Sequence, residues 1–248
     1  MNLANVRIVL VRPQHPGNIG ACARAMKNMG LQDLVLVAPR PFSLAEAKPR
    51  AAGADDVLVS ARTLNDVRAA VADCALVVAT SARARTIAWP NLTPRSAAAA
   101  LGPVSRQAPV TVLFGAERTG LTNEELDFAH ALVRIPVAPT FPSLNLAAAV
   151  QILCYELRLA ADGEAPPADD HVPAAQEPFN QFLDHLERVA VGIGFLDPRN
   201  PRKLMRRLTR LFRRARPDAN ELNILRGILT AIERPVPPAS ALGERDQS

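Results

Sequence analysis

The chain has 248 residues, with 29 Lys and Arg against 24 Asp and Glu, which gives a formal net charge of +5. A hydrophobic fraction of 48% and a charged fraction of 21% are those of an ordinary globular protein and exclude a disordered chain. Aromatic residues make up only 4%, which argues against a module that stacks single-stranded bases on exposed rings. A nucleic-acid partner would therefore be held mainly through its phosphates.

The cysteines and the N-terminal segment indicate a reducing compartment. Cys22, Cys74 and Cys154 are far apart and form no CxxC or Cys–His pair, so neither a disulfide framework nor a zinc site is predicted. Residues 1–11 lack the regions of a signal peptide, and no apolar run reaches the ~18 residues of a membrane span. We expect a cytoplasmic protein with no membrane or metal partner.

Short apolar runs alternate with helical patterns through the first 160 residues. Such alternation predicts an α/β fold with a mostly parallel sheet covered on both faces. Thr122 and Glu125 have the spacing of a capping box at a helix start. The predicted strands are residues 6–11, 34–38, 57–60, 75–80, 110–115 and 132–137, and the predicted helices are 18–29, 63–72, 122–131 and 143–161.

The pattern changes after this α/β domain, which we place at residues 1–161. Residues 162–178 are rich in Pro and acidic residues and read as a solvated linker. Residues 179–234 have only helical patterns, at 179–191, 201–215 and 220–233, and form a predicted helical extension. We expect residues 235–248, which are Pro-rich at their start, to be a disordered tail.

The second helix of the extension carries its cations on one side. Asn200 and Pro201 are predicted to start it as N-cap and first residue. On a helical projection its apolar side chains occupy one arc and its basic side chains another, with no acid between Arg199 and Arg216. This favours phosphate binding over an acidic protein surface, the chain's own acidic linker or plain solvent exposure. The basic residues are Arg202, Lys203, Arg206, Arg207, Arg210, Arg213 and Arg214.

Four short segments follow predicted strands or open predicted helices. Residues 15–20 (HPGNIG) open a helix whose N-terminus favours an anion, with Asn18 as a possible cap and Arg24 further along. Neither a GxGxxG nor a P-loop pattern is present, which argues against a dinucleotide-dependent oxidoreductase. Residues 79–83 (ATSAR), 114–121 (FGAERTGL) and 142–146 (PSLNL) are the others, with Ser143 a candidate cap. Each alone is also compatible with an ordinary turn and cap.

Three of these segments, in this order, resemble the motifs of the SPOUT class of RNA 2′-O-ribose methyltransferases. They are Asn18-x-Gly20-x-x-x-Arg24, Phe114-Gly115-x-Glu117-x-x-Gly120-Leu121 and Ser143-Leu144-Asn145-Leu146. Residues 80–86, 89–90, 121–126, 214–217 and 221–229 resemble a bacterial branch of the class that modifies tRNA. The resemblance covers nearly the whole chain apart from the acidic linker and the last dozen residues.

The resemblance implies a SPOUT fold with a C-terminal trefoil knot, a homodimer, and S-adenosyl-L-methionine bound in the knot without a metal. It implies catalytic roles for Arg24, Asn18, Glu117, Ser143 and Asn145. Arg24 would bind RNA phosphate, as would the basic helix. The implied cofactor-binding residues are Thr80, Ser81, Ala82, Gly115, Gly120, Ile135, Pro142, Ser143 and Leu144.

The implied reaction is 2′-O-methylation of the pyrimidine, C or U, at position 32 in the tRNA anticodon loop. Three alternatives stay open at this point: another tRNA position, ribosomal RNA, or a non-catalytic RNA-binding relative.

Overall fold

The computed structural model describes residues 1–81, 89–163 and 172–234. Within these ranges seven strands form one sheet in the order β3-β2-β1-β6-β4-β7-β5, and all neighbouring strands are parallel. The predicted mostly parallel sheet is therefore confirmed. The strands are β1 (Val6–Val11), β2 (Asp33–Val37), β3 (Arg62–Leu64), β4 (Leu76–Thr80), β5 (Asn91–Leu92), β6 (Val110–Phe114) and β7 (Ala131–Val133).

Several helices begin at a capping box. Thr122 and Glu125 form the predicted capping box, and Thr93 with Ser96 and Asp218 with Glu221 form two more. In the described ranges the α-helices are α1 (Pro16–Asn28), α2 (Leu44–Ala51), α3 (Asp55–Ser60), α4 (Val67–Val71), α5 (Pro94–Ser105), α6 (Asn123–Leu126), α7 (Leu146–Asp162), α8 (Gln176–Gly192), α9 (Leu204–Ala215) and α10 (Ala219–Glu233).

The sheet is buried on both faces. Successive side chains of a strand point to opposite faces, so Ile8 and Leu10 of β1 join one apolar cluster while Val9 and Val11 join another. The first cluster includes side chains of α1, α5 and α7, and the second includes those of α4 and of residues 121–132. A third, smaller core around Phe182 and Leu222 holds α8, α9 and α10 together.

Several predicted elements were wrong. Residues 57–60, predicted as a strand, belong to α3, because a four-residue apolar run has no distinguishing period and Asp55 and Asp56 favour a helix start. The predicted helix 63–72 is divided between β3 and α4. Helix α9 begins at Leu204, with Lys203 rather than Asn200 as its N-cap. Helices α2 and α5 had not been predicted.

The helical extension lies against the α/β domain. Two backbone hydrogen bonds join the start of α8 to the segment between α4 and β4: Gln176 N–H to Cys74 O and Glu177 N–H to Ala72 O. Arg68 adds ion pairs to Glu177 and Asp184. In the part of the chain that the structure describes, no helix is long and apolar enough to cross a membrane. The predicted tail 235–248 and residues 164–171 of the predicted linker lie outside the described ranges.

Candidate active site and basic helix

A cavity opens where β4, β6 and β7 end, at Thr80, Phe114 and Val133. In parallel α/β sheets, ligands bind outside the carboxyl ends of the strands. The structure brings together eight predicted cofactor residues in its lining: Thr80, Ser81, Gly115, Gly120, Ile135, Pro142, Ser143 and Leu144. The ninth, Ala82, lies outside the described residues. Pro142 lines the cavity but has no N–H to donate.

The wall formed by residues 115–120 requires glycine at two positions. A Cβ on Gly115 would lie 2.3 Å from the carbonyl carbon of Gly120, which is backbone and cannot rotate away. Gly120 has φ +68°, a conformation that glycine adopts without steric cost, and its N–H donates to Ala116 O at 2.8 Å. The loop therefore closes on itself directly after β6 and presents backbone to the cavity.

A line of hydrogen bonds joins the three motifs. Asn18 Nδ2 donates to Glu117 Oε1 at 3.0 Å, and Asn18 Oδ1 accepts from Asn145 Nδ2 at 3.0 Å. Asn145 Oδ1 in turn accepts the N–H groups of Ala147 and Ala148 at the start of α7. The line thus joins the loop after β6 to α1 and α7.

Glu117 provides the anion at the N-terminus of α1. Its carboxylate accepts the N–H groups of Gln14 at 2.9 Å and His15 at 3.2 Å, next to Pro16 at the first helical position. Burial raises the pKa of Glu117, but the hydrogen bonds from Asn18 and the backbone outweigh it and hold the pKa below its ordinary value. The carboxylate is therefore ionised near neutral pH and occupies the position that the sequence had suggested for a bound anion.

Two cap predictions need correction. The N-cap of α1 is His15, and Asn18 instead bonds Glu117 and Asn145. The N-cap of α7 is Asn145, so Ser143 is not a cap, because α7 begins three residues later than Ser143. Gly20 serves helix packing, since a Cβ there would lie 2.0 Å from Ala47 O of α2.

Arg24 and Ser143 are both exposed. Ser143 lines the cavity, whereas Arg24 is on α1 outside the lining. Arg24 forms no hydrogen bond or ion pair with the described part of its own chain, which leaves its guanidinium available to a partner.

Arg12 contributes to this site and was missed by the sequence analysis. Its guanidinium forms a bidentate pair with Glu125, at 2.8 and 2.9 Å, and also donates to Gly120 O at 3.2 Å. Arg12 has φ +52°, which is strained for a residue with a side chain. It holds the end of the cavity loop, but no sequence signal could have paired positions 12 and 125.

The basic helix α9 does not present all its cations to solvent. Arg206 pairs with Asp127 at 3.1 Å, and Arg213, only 2% exposed, donates to Phe128 O at 3.0 Å and to Gln176 Oε1. These contacts dock α9 on residues 123–130, which corrects the expectation that Arg206 and Arg213 share a free face. Arg202, Lys203, Arg207 and Arg214 remain exposed, and Arg210 is half-buried.

The fold and the site define a class of protein: an α/β enzyme with a cavity at the carboxyl ends of its strands and a basic helical extension. Residues 5–155 match the SpoU rRNA Methylase family, and residues 177–241 match the TrmJ C-terminal domain of tRNA methyltransferases. The chain belongs to the SpoU methylase family. Among the described residues, no group of His, Cys, Asp and Glu could hold a metal ion.

Two of the following similar proteins align with nearly the whole chain and a third with part of it. The tRNA (cytidine/uridine-2′-O-)-methyltransferase TrmJ of Klebsiella pneumoniae is 47% identical over 238 residues, which are 94% of this chain and 98% of that protein. The crystal structure of TrmJ from Z. mobilis ZM4 superposes with a TM-score of 0.82 at 40% identity, covering 92% of this chain and 99% of that one. An AdoMet-bound rRNA methyltransferase from Sinorhizobium meliloti superposes with a TM-score of 0.50 at 28% identity, covering 62% of this chain and 56% of that one.

Proposed function

We propose that the protein transfers the methyl group of S-adenosylmethionine to a ribose 2′-hydroxyl of tRNA, at the pyrimidine in position 32 of the anticodon loop. The named activity of the Klebsiella relative supports the reaction and the tRNA substrate. The single observation that carries the proposal is the hydrogen-bonded line Glu117–Asn18–Asn145, which joins the residues of three motifs beside the cavity. The cytoplasm, where tRNA is found, is the compartment that fits.

The cavity fits a cofactor with one flat apolar and one polar part. Ile135, Val137 and Leu144 supply apolar contacts, while the Gly115–Gly120 loop, Thr80 and Ser81 supply close backbone and short polar groups. When bound there, S-adenosylmethionine would supply an electrophilic methyl group, so no metal is needed for activation. In a SPOUT protein this cavity lies in a trefoil knot, which we propose for this chain as well.

The hydrogen-bonded side chains of Glu117, Asn18 and Asn145 hold the three motifs in position and do not exchange protons with the substrate. Asn18 is engaged by Glu117 and Asn145 at both ends of its amide, and the depressed pKa of Glu117 makes that carboxylate a weak base. Methyl transfer needs the 2′-oxygen aligned with the methyl group and its proton removed as the bond forms. Ser143, exposed in the cavity lining, is free to contact the 2′-hydroxyl.

Arg24 is the proposed phosphate clamp beside the target ribose. A guanidinium keeps its proton near neutral pH, so charge stabilisation is its first role and proton acceptance its second. Arg24 lies outside the cavity of its own chain, which is consistent with its reaching the cofactor of a second copy.

A homodimer would provide that second copy. Four large apolar side chains are exposed on α7 and on the segment that leads into it. They are Phe141 (75% exposed), Leu144 (40%), Tyr155 (50%) and Leu159 (42%). Large exposed apolar patches mark interaction surfaces. The partner's copy of this surface would cover them and complete two active sites.

Methylation assays with defined RNAs test the substrate. We expect transfer of labelled methyl groups to unmodified tRNA transcripts with C or U at position 32. We expect no transfer to the same transcript with a 2′-deoxyribose at position 32, or to ribosomal RNA fragments. Equal labelling of the deoxy-substituted transcript would assign another position, and labelling of ribosomal RNA alone would assign another substrate class.

A further inference from the structure

Arg12 follows β1 directly, and its side chain contacts the far end of the loop at residues 115–120, which forms one wall of the cavity at the strand ends. Its Nε and one terminal nitrogen donate to the two carboxylate oxygens of Glu125. The same terminal nitrogen donates to Gly120 O at 3.2 Å. Arg12 itself is not among the residues that line the cavity. It therefore acts on a molecule in the cavity only through the loop.

The backbone at Arg12 is held in an unfavourable conformation. Its φ of +52° is in the left-handed region, which a residue with a side chain adopts only where surrounding contacts enforce it. The Arg12 N–H donates to Val37 O at 2.7 Å, so the pairing of β1 with β2 continues up to this residue. Contacts of both the N–H and the guanidinium thus fix the conformation. Strain of this kind is typical of sites where the placement of one side chain matters.

Gly120 is the residue at which the loop closes. A Cβ on Gly115 would lie 2.3 Å from the carbonyl carbon of Gly120, so the two ends of the loop are in backbone contact. The Gly120 N–H donates to Ala116 O at 2.8 Å, and Gly115 and Gly120 both line the cavity. Arg12 holds the carbonyl of the same residue. A shift of Gly120 would therefore open the loop and change the shape of the cavity wall.

Glu125 fixes the guanidinium of Arg12 in direction as well as in position. A bidentate pair of two planar groups has this effect because both of its hydrogen bonds must be satisfied together. The Oε2 atom of Glu125 also accepts the N–H of Thr122 at 2.7 Å, in the capping box that begins α6. Both members of the pair are half-buried, which reduces screening by salt. The carbonyl of Gly120 is thus held from the capped start of a helix.

We propose that Arg12 is a positioning residue that sets the affinity of the cavity for S-adenosylmethionine. It rests on the proposed function, since it takes the cavity to be the cofactor site. A loop that is closed for only part of the time binds with an apparent dissociation constant equal to the intrinsic one divided by the closed fraction. Arg12 keeps the loop closed before the cofactor enters. Loss of its guanidinium therefore weakens cofactor binding and leaves the rate at cofactor saturation unchanged.

Two measurements on the full-length protein test this role. Calorimetric titration with S-adenosylmethionine gives the dissociation constant of the native, Arg12→Gln, Arg12→Lys and Glu125→Gln proteins. Hydrogen exchange of residues 115–121, recorded without cofactor, reports on loop closure directly. Arg62→Gln is the matched control. Arg62 forms a 2.8 Å ion pair with Asp33 but lies at the start of β3, on the edge of the sheet opposite to the cavity.

We expect Arg12→Gln to raise the dissociation constant of S-adenosylmethionine by about tenfold, as for a loop that is closed for about a tenth of the time. Exchange in the loop should become faster in the same protein. Arg12→Lys keeps the charge without the planar fork and should recover only part of the affinity. Glu125→Gln should also weaken binding, because a neutral amide has one acceptor oxygen instead of two. The kcat at saturating cofactor and tRNA should stay within about twofold of the native value.

Native cofactor affinity in the Arg12→Gln protein would overturn the proposal. Equal weakening by Arg62→Gln would also overturn it, since a general loss of stability would then be the cause. A lower kcat with unchanged affinity would place Arg12 at the reacting groups instead. If the Arg12→Gln chain does not fold, Arg12→Lys and Glu125→Gln provide the same comparison. Absence of cofactor binding by the native protein would overturn the proposed function as well, whereas the other outcomes leave the proposed function standing.

Discussion

The side-chain amide of Asn18 donates a 3.0 Å hydrogen bond to the carboxylate of Glu117, 99 positions further along the chain. Through this bond the first turn of α1 and the loop after β6 hold each other beside the cavity. The half-buried carboxylate compensates the N-terminus of α1, and its remaining bonds are to backbone N–H groups. We therefore expect that loss of this hydrogen bond would misalign both the loop after β6 and the first turn of α1.

Replacing Glu117 with Gln should lower turnover by about tenfold to a hundredfold, because charge-assisted hydrogen bonds contribute about 1.5–3 kcal/mol. Steady-state methylation of unmodified tRNA measures the loss, and calorimetry measures binding of S-adenosylmethionine. Glu124→Gln is the control, since Glu124 is exposed and lies outside both the hydrogen-bonded line and the cavity lining. Equal activity of the two variants would contradict an orienting role for Glu117.

Replacing Gly115 with Ala should abolish binding of S-adenosylmethionine, because the added Cβ would collide with the backbone of Gly120 and force the loop to move. Overpacking of this kind also destabilises a protein by about 1–3 kcal/mol. Gly227→Ala is a matched change within α10, where nothing lies within 4 Å of the added Cβ. It should stabilise the chain by about 0.5–1 kcal/mol and leave cofactor binding intact. Full cofactor affinity in the Gly115→Ala protein would show that the loop does not form the cofactor wall.

Replacing Arg24 with Ala should leave folding and S-adenosylmethionine binding unchanged. Turnover should fall by a hundredfold or more, because a phosphate clamp at the reacting ribose stabilises the transition state by about 3 kcal/mol. Lys27→Ala, which removes another exposed cation of α1, should retain activity. Denaturant unfolding and cofactor calorimetry serve as the structural checks. A parallel loss of cofactor affinity in the Arg24→Ala protein would argue for a structural role instead.

Stability should fall as pH drops below about 6.5 because of His130. Burial lowers the pKa of His130 to about 3, with Arg213 and Arg216 acting in the same direction. Between about pH 6.5 and 3 the unfolded chain binds a proton there that the folded chain does not, so the free energy of unfolding decreases by about 1.4 kcal/mol per pH unit. This contribution is complete above pH 6.5 and is lost toward pH 3.

Urea unfolding at pH 7.5 and pH 5.0 tests the role of His130. The native protein should lose about 2 kcal/mol from this group alone, and a His130→Gln protein should lose correspondingly less. The pKa values of Glu117 and Asp73 are also depressed, but these groups act mainly below about pH 4.5 and are common to both proteins. An identical pH dependence in the two proteins would assign the acid sensitivity to other groups.

The sequence pattern predicted the parallel sheet because buried parallel strands such as β1 and β6 are nearly continuous apolar runs, each interrupted by a single polar residue. It failed at residues 57–60, where the apolar run is too short to have a recognisable period. The resemblance to the SPOUT motifs selected residues that line the cavity, because these motifs follow strands whose carboxyl ends meet at one edge of the sheet.

The partners of those residues could not be predicted. The residues next to Asn18 in the sequence predict a helix cap. Its hydrogen-bond partners in the structure, Glu117 and Asn145, lie in the second and third motifs. Helix periodicity places Arg213 on the cationic side of α9, but only the docking of α9 on Phe128 and Gln176 shows that this side chain is buried. Contacts across long sequence separations decide both cases, and helix periodicity contains no information about them.

The most direct test of the account is nucleoside mass spectrometry of unmodified tRNA incubated with the protein and S-adenosylmethionine, followed by mapping of the modified position. We predict one 2′-O-methylated pyrimidine, at position 32, formed by the native protein and absent with Arg24→Ala. No 2′-O-methylated nucleoside from folded, cofactor-bound native protein would contradict it.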